Sequence, residues 1–231
     1  MELRQREAAN PQYTEGAKMK MLRSLLIVSV VLVGGTSAQA ALPEFSGEFP
    51  DNMTAAATSP KSEAAGGALV TECGKLEGTA TFMGAKTGSV DLLFLECTGK
   101  VLGISVGKCT GLNDTTTGSL LLKGTFTLGF ELETLIPVIG LSFESAHFEC
   151  GSTLTVVTGC LVGTTTLVKS NTQEWLFKAS GGKQELTDYT NDKGEMVSCK
   201  LLSSINGGEA KEFSLIMHVV QTVAKAIEVK D

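Results

Sequence analysis

Ser89-Val90-Asp91-Leu92-Leu93-Phe94-Leu95-Glu96-Cys97 is the stretch whose reading decides the fold class. Val90, Leu92 and Phe94 recur at every second position. That period matches a strand, whose successive side chains point to opposite faces, and not the 3.6-residue period of a helix. Leu93 and Leu95 add apolar side chains to the second face, so the strand is expected to be buried on both sides. Glu96 and Cys97 end the run beside Gly99.

The same grammar extends in both directions. Short runs of Val, Thr, Phe and Leu alternate with glycine-bearing turns, and no regular helical pattern intervenes. Strands are expected over residues 68–73, 77–83, 89–97, 101–106, 119–132, 139–150, 154–168, 174–179, 197–202 and 213–229. Leu141 and Phe143 alternate with Ser142 and Glu144. Gly-Thr-x-Thr-apolar recurs at Gly78, Gly124 and Gly163 at unequal spacing, which reads as threonine-faced strands and not as a repeat. In the last segment Phe213, Leu215, Met217 and Val219 alternate as a strand, while Phe213, Ile216, Val220, Val223 and Ile227 also fit a helix. Its β-branched centre favours strand. Together these runs predict an all-β fold: an antiparallel β-sandwich or barrel.

Residues 19–40 decide the compartment. Lys18, Lys20 and Arg23 precede an apolar run over 25–33, Gly34-Gly35 ends it, and Ala38-Gln39-Ala40 has small-x-small spacing. This is the pattern of a signal peptide, and the run is shorter than the roughly 20 residues of a membrane span. The residue directly after the cleavage point is Ala41 and not cysteine, which argues against lipoprotein processing. Residues 1–18 read as an over-called start or a long n-region. Residues 41–66, small and polar from 51 onward, are expected to be a partly flexible entry. Residues 67–231 are expected to hold the β-rich domain, with one sheet or two sub-sheets left open. The expected location is secreted, extracellular or cell envelope, with no stable membrane insertion after cleavage.

Export gives the cysteines a meaning. Cys73, Cys97, Cys109, Cys150, Cys160 and Cys199 all follow the signal, and their number is even. No pair has C-x-x-C spacing, so up to three disulfides are expected and not a zinc site. Six cysteines permit about 15 pairings. Nearness in sequence favours Cys97–Cys109 and Cys150–Cys160, leaving Cys73–Cys199.

The first 40 residues hold five of the 19 basic and three of the 25 acidic residues. The remainder therefore carries 14 bases against 22 acids, and every one of the bases is lysine. An acidic chain without arginine argues against nucleic acid and anionic membranes as partners. Contact with a cell surface or a glycan stays open.

Leu42-Pro43-Glu44-Phe45-Ser46-Gly47, Val70-Thr71-Glu72-Cys73, Ser204-Ile205-Asn206-Gly207-Gly208 and the closing Glu228-Val229 resemble a family of uncharacterised exported β-rich proteins of actinobacteria. The resemblance implies export and a β-rich fold, and it tips the last segment toward strand. It implies no activity and no ligand.

Chemistry-bearing residues are sparse. Gly103-Ile104-Ser105-Val106-Gly107 matches the nucleophile-elbow pattern, and Ser105, Asp188 and His218 fall in the hydrolase order. No helix-forming segment follows Ser105, so a structural strand is the preferred reading. His147, the other histidine, reads as an ordinary strand residue. Asp188, Asp192 and Glu195 lie in an oxygen-rich segment suggestive of calcium, but its glycine misses the EF-hand position, and a hairpin loop is the simpler reading. No metal or other cofactor is expected. Trp175, the lone tryptophan, sits beside Leu176 and Phe177 and reads as core more readily than as a sugar-stacking platform. The reading that follows is an exported, non-enzymatic β-scaffold with a structural or binding role. A carbohydrate-binding module is the first alternative, and a hydrolase using Ser105 the second.

Overall fold

Alternating burial along β2 (Asp51–Thr58) sets the pattern of the whole molecule. Met53, Ala55 and Ala57 point inward, while Asn52, Thr54 and Thr58 are exposed. In this computed structural model the described residues are 43–64, 66–166 and 170–230. The expected signal peptide at 19–40 lies outside them. The other strands are β1 (Glu44–Ser46), β3 (Lys61–Ala64), β4 (Leu69–Glu72), β5 (Lys75–Phe82), β6 (Thr87–Leu95), β7 (Thr98–Val101), β8 (Ile104–Gly111) and β9 (Leu120–Glu131). They continue with β10 (Pro137–Cys150), β11 (Thr153–Thr165), β12 (Ser170–Phe177), β13 (Ala179–Ser180), β14 (Lys183–Gln184), β15 (Asp188–Thr190), β16 (Met196–Ser198), β17 (Leu201–Ile205) and β18 (Lys211–Lys230).

Registers combine most of these into eight long antiparallel staves. β2 and β3 form the first, interrupted at Ser59, and β4 and β5 form the second. Asp51 pairs with Phe82 and Lys61 with Glu72, so both halves share one register. β6 and β7 make the third stave, again without a shift against the second. β8 and β9 make the fourth, with residues 112–119 looped out between them. β10 and β11 are the fifth and sixth. β12 and β17 make the seventh, with residues 178–200 looped out. β18 is the eighth, and it pairs back onto the first through Val220↔Ala56 and Phe213↔Ala64. The meander therefore closes, with β9–β10 and β12–β18 completing the circle. Of the two expected architectures, the chain forms the barrel. Closure leaves the staves with no free edge, as an all-β chain must arrange.

The apolar face is the inner one. Phe45, Phe82, Phe126 and Trp175 fill the upper end with edge-on ring contacts 4.3–6.3 Å apart. β1 extends that end by pairing with the close of β18. Val90, Leu92 and Phe94 point inward as expected. Leu93 and Leu95 are only half-buried, because the outer face of their strand has no second sheet upon it. The outer faces of β2 and β5 are polar, the reverse of the apolar belt a membrane barrel shows to lipid. No helix among the described residues is long and apolar enough to cross a membrane.

Two expectations need correction. Residues 51–64 are not a flexible entry but the first stave. Their inward positions are mostly alanine, which hides the alternation from a hydropathy reading. The disulfides are Cys73–Cys97, Cys109–Cys150 and Cys160–Cys199, not the pairs suggested by sequence nearness. One pair sits directly on a ladder: Cys109 and Cys150 are partners on β8 and β10. Cys97 and Cys109 are joined only through a backbone hydrogen bond of 2.9 Å. Three disulfides fit a protein that works outside the reducing cytoplasm.

Residues 178–200 cross the outside of the barrel. Tyr189 and Cys199 pack with Val138 and Val162 in a second small core. A Cβ at Gly140 would collide with the Tyr189 ring, so that glycine is what lets the strap lie flat. Cys160–Cys199 fastens it.

Candidate functional site

The barrel wall has a seam. β9 pairs with β10 as far as Gly124↔Phe143, and β8 takes over at Gly111↔Phe148. The loop at 112–119 offsets the two halves of the fourth stave. Residues 144–147 of β10 are thus left between the ladders on that side, bridged by one bond from Leu112 N–H to the His147 carbonyl, 2.9 Å. On its other side β10 bulges between Phe143 and Ala146.

Behind the seam lies an interior cavity. Leu120, Leu122, Phe143 and Ala146 stand at its mouth, and Phe94, Phe148, Val157, Leu201, Phe213 and Leu215 line its body. The four mouth residues are only half-buried although they face inward, since the seam opens beside them. The volume is about 50 Å³, counted by the positions a water molecule can occupy. By the same measure one water needs roughly 10–15 Å³. The lining is overwhelmingly apolar, with Ser62 and Thr71 as the inward hydroxyls among it. Lys61 and His147 are its only ionisable lining residues. Lys61 reaches the Glu72 carboxylate at 4.0 Å with its side chain 43% exposed. His147 is exposed and bonded to Ser145 Oγ at 2.9 Å. Both side chains therefore sit at the surface, and no ionisable side chain lines the body of the cavity.

The loop that makes the seam is held by its own polar groups. Asp114 Oδ2 accepts the Leu121 N–H at 3.1 Å, Gly118 N–H donates to Thr110 Oγ1 at 2.9 Å, and Gly111 N–H donates to the Ser119 carbonyl at 2.8 Å. The Asn113-Asp114 turn thus braces the loop beside the seam.

Further buried polar groups face the interior from positions beside this lining, Thr155 as the ladder partner of Phe148 and Ser203 as that of Val157. Thr155 Oγ1 and Ser203 Oγ have no hydrogen-bond partner, and neither do Thr165 Oγ1, Trp175 Nε1 and the Gln221 amide nearer the upper end. Such groups cost free energy unless something meets them.

The residues singled out by sequence lie elsewhere. Ser105 is exposed on β8, paired with Lys100 just past the hairpin tip. Strand continues on both sides of it, so the strand-to-helix turn of an elbow is missing. Asp188 on β15 takes the Thr187 hydroxyl at 3.0 Å. His218 on β18 is exposed and bonded to Glu174 Oε2 at 2.9 Å. No two of β8, β15 and β18 are ladder neighbours, and the three side chains do not meet. In the segment holding Asp192 and Glu195, Asn191 organises a hairpin turn. Its Oδ1 accepts Lys193 N–H and Glu195 N–H, and its Nδ2 donates to Glu195 Oε2. Among the described residues no cluster of three His, Cys, Asp or Glu is placed to hold a metal. Trp175 is 1% exposed, so its ring offers no platform to a sugar in solvent.

Comparison with protein-family models, with curated proteins and with solved structures finds no match to this chain.

The sequence reading missed the cavity. It is built from apolar side chains of six strands, and its opening comes from an offset between ladders. The local trace of that offset was the turn-rich interval at 112–119, lying between two apolar runs.

Proposed function

We propose that this protein is an exported, non-enzymatic β-barrel that receives a small apolar molecule in its interior. The observation that carries this reading is the neutral, apolar cavity behind the β8/β9–β10 seam. An eight-stranded barrel is wide enough either to be filled by its own side chains or to hold one small ligand. Here the upper end is filled by aromatic rings, and the middle keeps free space beside a gap in the wall. Export is supported by the pattern at 19–40 and by the three disulfides. A catalytic role finds no support in the arrangement of Ser105, Asp188 and His218.

The test is a titration of the purified protein with cyclopentane, followed by NMR of the methyl groups lining the cavity. Saturable shifts at Val157, Leu122 and Leu215 are expected. Val157→Phe fills the space and should abolish the shifts while cooperative unfolding persists. Ala146→Leu narrows the mouth and should weaken binding if Val157→Phe fails to fold. Absence of saturable shifts in the parent protein overturns the reading.

A further inference from the structure

The hydroxyls around the cavity are distributed unevenly. Ser62 and Thr71 are direct cross-strand partners on β3 and β4, and both are buried in the lining. Thr71 Oγ1 has a single weak contact, Cys150 Sγ at 4.0 Å. On β11 and β17, Thr155 stands directly across from Phe148, and Ser203 directly across from Val157. Phe148 and Val157 both line the cavity. Thr155 and Ser203 share their inward face, are 0% and 2% exposed, and leave their hydroxyl oxygens without a partner. The seam side of the cavity, with Leu120, Leu122 and Phe143, carries no such groups.

We infer that the ligand is a small neutral amphiphile: a compact apolar body with one uncharged hydrogen-bonding group of the alcohol, aldehyde or ketone class, directed toward Ser62, Thr71, Thr155 and Ser203. This rests on the reading of the barrel as a receptor for an apolar molecule, and it names what that molecule carries. A hydroxyl both donates and accepts, so each of these hydroxyls matches a neutral group in either role. A pure hydrocarbon leaves Thr155 and Ser203 unpaired. A carboxylate or ammonium would be buried without a counter-charge, because Lys61 and His147 stand at the surface.

The experiment compares cyclopentanol, cyclopentane and cyclopentanecarboxylate on the full chain by the same methyl NMR titration. Cyclopentanol is expected to bind about tenfold more tightly than cyclopentane, and the carboxylate more weakly than either. In the double variant Thr155→Val/Ser203→Ala the preference for the alcohol should fall to about twofold or less, with cyclopentane affinity retained. Thr71→Val is read the same way if the double variant does not fold. Equal binding of alcohol and hydrocarbon overturns this inference and leaves the apolar-receptor reading intact. It is likewise overturned if the preference survives these substitutions, which would leave buried water as the partner of the hydroxyls, or if the carboxylate binds as tightly as the alcohol. Failure of all three ligands to bind brings down both readings.

Discussion

Gly99 sits where a side chain has no room. A Cβ there would lie 2.8 Å from Cys109 Sγ and 2.9 Å from Cys150 Cβ, so the third stave passes directly beneath the second disulfide. Gly99→Ala is expected to cost about 1–3 kcal/mol, the usual range for forcing extra volume into a packed core, read as a lower urea midpoint. Glu131 offers a pH-dependent counterpart. The Thr134 hydroxyl donates to its carboxylate, as do the backbone N–H groups of Thr134 and Glu133. Chiefly through the hydroxyl, these bonds hold the carboxyl below its ordinary 4.5, against the opposing pull of burial. A carboxyl depressed in the folded state stabilises above its unfolded pKa, and that contribution disappears as pH falls through the folded value. Glu131→Gln should therefore cost about 1–3 kcal/mol at neutral pH. The urea midpoints of the two proteins should draw together as the pH falls through the folded value, below the ordinary carboxyl range. A gap that persists there would mean the carboxylate charge is not what holds the β9–β10 turn.

Among the elements, the strap at 178–200 is the clearest case of a segment held by what it meets on the barrel, the Cys160–Cys199 disulfide included. Its strands are two or three residues long, too short to be stable by themselves. Tyr189 holds it, lying on Gly140 and meeting Thr127 Oγ1 at 3.1 Å. Tyr189→Ala is expected to speed hydrogen exchange within 178–200 at least tenfold, as local opening grows easier. Exchange in β10 and β11 beneath should change little. Uniform acceleration of strap and barrel together would show instead that they unfold as one unit. β18 behaves differently. Its alternation from Phe213 to Val223 is visible in sequence and holds in the structure, because a 20-residue stave has enough inward positions to make its period plain. The first stave shares that period but writes it in Ala55, Ala57 and Ala64, so only the folded barrel reveals it.

At the scale of the molecule, the barrel closes by joining its last stave to its first, with Val220 opposite Ala56. Such distant pairings make closure a late, slow step, and disulfides that tie neighbouring staves limit the unfolded chain meanwhile. Protein recovered from the culture medium should have a mass that begins at Ala41. It should take up no alkylating reagent without prior reduction. Six alkyl groups, or a retained leader, would overturn the exported reading. What the chain determined by itself is the all-β class, the inward faces of the large-residue strands and the signature for export, since period and hydropathy are local properties. Barrel over sandwich, the cysteine pairing and the cavity were decided only by tertiary structure. Each depends on the register between strands far apart in the chain, and an eight-residue offset between two ladders leaves no periodic mark in either strand.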